Sequence, residues 1–131
     1  MSRSIPAVIA VTVLSLTAVA AAAPVPKLLS CSGTALVRPT GTVVLSCADG
    51  NTELSHTHWR SWGAGQAVGR TDFGVNLCTP TCVASRMRFF PGSTVALLDA
   101  RSTSRGLLFT RAVITYTLNG VKKTFTAYPA T

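Results

Sequence analysis

The sequence predicts an all-β fold, an antiparallel sandwich (immunoglobulin-like) or a small barrel, held by two disulfides. Three observations lead there. From Leu29 onward, short apolar segments of period two are separated by turn residues at intervals of roughly eight to twelve. Beyond the N-terminal segment, no stretch keeps a helical period. The cysteines form an even set, Cys31, Cys47, Cys78 and Cys82, in a short chain that begins with an export-type leader.

The leader is the first element. Met1-Ser2-Arg3-Ser4 carries one side-chain cation and runs into an uncharged stretch from Ala7 to Ala23, the n-region and h-region of a secretory signal peptide. Small residues at Ala20 to Ala23 offer A-x-A sites, and Pro24 is too constrained to follow the scissile bond directly. Cleavage is therefore expected after Ala22, giving a signal peptide over 1–22 and a single secreted β domain over 23–131. A membrane anchor needs about 20 apolar residues and usually charged flanks, so no stable membrane span is expected. Leu28-Leu29-Ser30-Cys31 loosely resembles a lipid-attachment site, but Pro24, Pro26 and Lys27 separate it from the apolar run.

In the domain itself, Leu29 to Val37 and Thr42 to Cys47 read as strands joined through Pro39-Thr40-Gly41. Val43, Leu45 and Cys47 then share a face. A register centred on Pro39 sets Cys31 opposite Cys47, which permits a cross-strand disulfide and leaves Cys78 and Cys82 to close their own short loop. The alternative, in which Cys78 and Cys82 tie that loop to Cys31 and Cys47, stays open. Gln66 to Leu77, Ser85 to Phe90 and Thr94 to Leu98 are further strand candidates, with Pro91-Gly92 read as a boundary and 101–106 as a loop. At the C-terminus, 111–118 and 121–128 flank Asn119-Gly120, the dipeptide preferred in type I′ hairpins. That turn sets Leu118 against Val121, Ile114 against Phe125 and Ala112 against Ala127 on an apolar face, with Thr115–Thr124 and Thr117–Lys122 on a polar one.

The formal charge is +8 with four acids, Asp49, Glu53, Asp72 and Asp99, and it is about +7 without Arg3. Such an excess favours anionic partners. Phosphate loops and dinucleotide fingerprints are missing, and so is G-x-S-x-G. No pair among the four acids stands out for glycoside hydrolysis. No catalytic residue and no cofactor is therefore assigned.

Four sets of residues could still carry a function. His56 and His58 would share one face of a strand and could begin a metal site, with Asp49 and Glu53 the nearest third ligands in sequence. More simply, they are solvent-facing histidines at a sheet edge. Trp59 and Trp62 could stack against a sugar, yet a spacing of three puts them on opposite faces of a regular strand, so at least one belongs to the core. Arg86 and Arg88, interleaved with Met87, Phe89 and Phe90, could contact a polyanion. The structural expectation is Met87 and Phe89 inward, Arg86 and Arg88 outward. The Cys78 to Cys82 loop could present a rigid segment to a protease.

Taken in order, Cys47-Ala48-Asp49-Gly50-Asn51, then Trp59-Arg60-Ser61-Trp62, then Asn76-Leu77-Cys78-Thr79-Pro80-Thr81-Cys82 resemble a group of small exported actinobacterial proteins. That group carries C-A-D-G-N, W-x-x-W and N-x-C-x-P-x-C in this sequence order. The resemblance implies an exported bacterial β domain and no catalytic residues. This chain departs from the group at Ser55-His56-Thr57-His58, where the group is more apolar.

Export, charge and missing catalytic motifs together lead to a secreted, non-enzymatic binding domain. Its expected partner is an anionic cell-wall polymer or another extracellular protein, not nucleic acid. The alternative is a secreted protease inhibitor.

Overall fold

The computed structural model describes Met1 and residues 12–131. Residues 2–11 of the expected signal peptide lie outside the described residues. Residues 12–25 are exposed and carry no regular secondary structure. Among the described residues no helix is long and apolar enough to cross a membrane.

Among the described residues eight strands follow in order: β1 Leu28–Leu29, β2 Ala35–Leu36, β3 Val43–Val44, β4 Thr52–Trp62, β5 Ala67–Asn76, β6 Met87–Thr103, β7 Gly106–Leu118 and β8 Val121–Ala127. β3 to β8 form one six-stranded sheet in sequence order, antiparallel throughout, and β1 pairs with β2 in a separate small sheet. The large sheet is therefore a pure meander, curled into a half-barrel. The all-β antiparallel expectation holds, with both disulfides in place, Cys31–Cys47 and Cys78–Cys82.

The concave face holds the core. Leu28, Leu45, Leu54, Phe73, Leu97, Phe109 and Ile114 are fully buried there, drawn from strands at both ends of the meander. Each such side chain stabilises the fold by about 1.5–3 kcal/mol relative to exposure. β1 packs across one side of this core. Lys27 N–H donates to Leu107 O and Phe109 N–H to Lys27 O, both at 3.0 Å, a parallel bridge that fastens the start of the domain to β7.

The C-terminal hairpin has the register expected from Asn119-Gly120, with Leu118–Val121, Ile114–Phe125 and Ala112–Ala127 opposed. Asn119 and Gly120 both take positive φ, 50° and 76°, as a type I′ turn requires. β7 begins earlier than expected, because within 101–106 only Ser104 and Arg105 form a turn, while residues 101–103 continue β6 and Gly106 opens β7.

Three local expectations are corrected. The Leu29–Val37 strand is broken at 30–34, where Ser30 Oγ accepts from Thr34 N–H at 3.1 Å and Gly33 takes φ 84°. This serine–glycine chemistry makes a turn, so Leu28–Leu29 folds back on Ala35–Leu36 and Val43–Val44 pairs with β4 instead. Cys31 and Cys47 are joined, but from this turn and from the loop after β3, not across two paired strands, and Cys47 is exposed while Val43 and Leu45 are buried. Finally, Pro91-Gly92 does not end a strand. It forms a bulge inside the 17-residue β6, where Thr71 faces Ser93 but Phe73 faces Phe90.

Candidate functional site

Two bulges shape β4 and with it the convex face. Between Ser55 and His58 the strand has one residue more than β5, and His56 takes φ 48° there; a second extra residue lies between Trp59 and Ser61. The first bulge frees the Ser55 carbonyl, which Thr71 Oγ1 satisfies at 3.1 Å, while the Thr57 and Thr71 hydroxyls pair at 2.9 Å.

His56 and His58 are both exposed on the convex side. The third group beside them is Asp72, whose Oδ2 lies 3.1 Å from His56 Nδ1, not Asp49 or Glu53. Asp49 instead accepts from Asn51 N–H at 3.1 Å, and that bond holds its carboxyl below the usual range. Among the described residues no group of three His, Cys, Asp or Glu is placed to hold a metal ion.

The second bulge changes the reading of the tryptophans. The inserted residue brings Trp59 and Trp62 to the same, inner face, opposite Gly69 and Ala67. Their rings meet edge to face at 4.7 Å, and Trp62 also meets Phe109. Trp59 Nε1–H donates to Pro39 O at 2.8 Å and Trp62 Nε1–H to Pro26 O at 2.9 Å. The pair thus pins two connecting segments to the core. Gly69 must lack a side chain here, since a Cβ would stand 2.8 Å from His58 O and 3.1 Å from the Trp59 ring.

In 86–90 the expected alternation is reversed. Arg88 and Phe90 oppose the inward Val75 and Phe73, so they lie on the concave side, with the Arg88 guanidinium 5.5 Å from the Phe90 ring centre at the rim. Phe89 lies on the convex side over Gly74, where it is 52% exposed. The one-residue surplus at Pro91-Gly92 accounts for the reversal: it shifts the parity of everything before it relative to Val95 and Leu97. Arg86 is exposed just outside β6.

The Cys78–Cys82 loop is braced at both ends by Asn76. Its Oδ1 accepts from Cys78 N–H and its Nδ2 donates to Cys82 O, both at 2.9 Å. Asp99 and Arg111 form an ion pair of 2.6 Å, which lowers the Asp99 pKa and raises that of Arg111.

What the sequence did not single out is the residue at the middle of the convex face. Arg70 faces outward from β5 beside His58 and borders three adjoining depressions. One, of about 380 Å³, runs past Trp59, Arg60, Val68 and Thr94. A second, of about 310 Å³, includes His56, His58 and Asp72. A third, of about 380 Å³, reaches Thr117 and Lys122. Asp72 is the sole acid lining any of them among the described residues. Period two in 67–75 already sets Val68, Arg70 and Asp72 opposite the buried Ala67, Thr71, Phe73 and Val75. The missing signal was its cross-strand neighbours, which the bulges conceal. No protein-family model, no curated protein and no solved structure matches this chain.

Proposed function

We propose that this is a secreted, non-enzymatic binding domain that docks its convex face onto an anionic polymer of the cell envelope. The observation that carries this reading is the position of Arg70, the shared border of three depressions, with Arg60 and Lys122 as further cations and one acid among the lining residues. Open depressions that share their lining residues suit a chain lying along the surface better than a small molecule enclosed in a pocket. The surplus of positive charge, +8 over the chain, adds long-range attraction to such a polymer. Two disulfides fit an oxidising, extracytoplasmic setting.

The test is retention of the purified protein on the producing cell's isolated wall across a salt series. Retention should fall steeply as screening increases, and an Arg60→Ser/Arg70→Ser double variant with an unchanged thermal midpoint should elute at distinctly lower salt. Retention that persists unchanged in high salt overturns the reading.

A further inference from the structure

The six-stranded sheet is not continuous along its whole length. β6 pairs with β7 only from Thr94 to Thr103, whereas from Met87 to Ser93 it follows β5 alone. β7 meanwhile continues past Thr115 to Leu118 with β8. The cause is the bulge at Pro91-Gly92. Proline has no N–H to give to a ladder, and Gly92 takes φ 72°, so β6 turns away from β7 at this point. Two strand pairs diverge from the Thr94–Thr115 rung and leave an open notch of about 380 Å³ between them.

The chemistry of the notch is one-sided. Arg70 reaches it from β5, with Nη2 donating to Gly92 O at 3.4 Å, and Lys122 lines it from β8. Thr94, Thr115 and Thr117 contribute hydroxyls between these two cations, and no acid is among the lining residues. One N–H of the Arg70 guanidinium is engaged by Gly92 O, which aims the group at the notch and leaves its other donors free for an oxyanion. A tetrahedral oxyanion suits this lining, because it accepts bonds from several directions: from a guanidinium, an ammonium and hydroxyls. Phe89, half exposed on the wall of the notch, offers apolar surface to whatever links one anion to the next.

We propose that this notch is a phosphodiester-binding site that takes one phosphate of a polyol-phosphate or sugar-phosphate chain between Arg70 and Lys122. The chain continues along the Arg60 side of the convex face, into the depression that shares Arg70 and Thr94. This proposal rests on the reading of the domain as a receptor for an anionic envelope polymer and gives that polymer its chemical class.

The experiment is a titration of the purified protein with a glycerol-phosphate oligomer and, in parallel, with a polyglutamate of equal charge number at the same ionic strength. Lys122→Gln and Thr117→Val, both exposed or half-exposed positions at the end of the hairpin, are titrated alongside. The glycerol-phosphate oligomer should bind more tightly than polyglutamate, and Lys122→Gln should weaken it about tenfold, the effect of losing one charge-assisted contact. Thr117→Val should weaken it less, with both thermal midpoints unchanged. If both polymers bind equally and Lys122→Gln has no effect, the notch is not the site, although the broader reading of an envelope receptor survives. If neither polymer binds, both readings fall.

Discussion

Thr57 and Thr71 are the polar residues on which the bulged half of β4 depends. They are 1% and 2% exposed, and their hydroxyls pair with each other while Thr71 Oγ1–H also donates to the Ser55 carbonyl. A β-bulge removes backbone groups from the ladder, and a buried carbonyl left without a donor is costly. Here a side chain supplies the donor, so the bulge can sit over the core and turn His56 and His58 out to solvent. Replacing Thr71 by Val keeps the shape but strands both Ser55 O and the Thr57 hydroxyl. Urea unfolding should register a loss of about 1–3 kcal/mol for Thr71→Val. Thr57→Val breaks only the hydroxyl pair and should cost less. A Thr71→Val protein as stable as the parent would mean that water reaches the carbonyl and that the pair is not structural. The tryptophans use the same logic: both indole N–H groups donate to carbonyls of connecting segments, Pro39 O and Pro26 O. Their edge-to-face contact and partial burial make the W-x-x-W spacing a device for tying loops to the sheet.

Among the elements, β7 and β8 show how far local sequence can specify structure. Asn119-Gly120 fixes the turn type, and the turn fixes every pair from Leu118–Val121 to Ala112–Ala127. Gly120 sits at φ 76° with open space where a Cβ would be, so Gly120→Ala meets no clash and isolates the conformational cost. That substitution should lower stability by about 1–2 kcal/mol, the cost of holding a non-glycine residue in the left-handed region. The readout is the urea midpoint at unchanged denaturant dependence, and an unchanged midpoint would show that the turn relaxes to another type. The other elements were less legible for an identifiable reason. Alternation reports which face a residue takes only while the count across a strand pair is conserved, and β4 and β6 each break that count. Thr52–Trp62 therefore gives no clean pattern, Trp59 and Trp62 read as opposed when they are neighbours, and Phe89 reads as core when it is outside. Pro91-Gly92 reads as a strand end because proline is excluded from paired central strands. It is tolerated because β6 has no partner on its β7 side there. The site suffered most. Lys122 was placed correctly by the hairpin register, but Arg70 gains its meaning only from His58 on one side and the Gly92 bulge on the other.

At the scale of the whole molecule, the domain is a single curled meander whose N-terminal third, with three strands of two residues each, makes few ladder bonds of its own. That third is held by burial of Leu28 and Leu29, by the Lys27 bridge to β7, by the two tryptophan caps and by Cys31–Cys47. The two disulfides consequently have different weights. Cys31–Cys47 spans 16 residues and joins the β1–β2 turn to the segment between β3 and β4, whereas Cys78–Cys82 spans 4 and closes a loop that Asn76 already braces. By chain entropy alone, the longer closure contributes about 3 kcal/mol and the shorter about 2 kcal/mol. Structure widens the gap, because loss of the first frees a hairpin that covers one side of the core, while loss of the second leaves both Asn76 hydrogen bonds in place. A Cys31→Ser/Cys47→Ser protein should therefore be less stable than a Cys78→Ser/Cys82→Ser protein by more than about 1 kcal/mol in urea unfolding. Hydrogen exchange should locate the extra loss at Lys27 and Phe109, whose amides form the bridge between the N-terminal segment and β7. Equal stability of the two double variants, or extra exchange confined to residues 78–82, would mean that burial alone holds the N-terminal third in place.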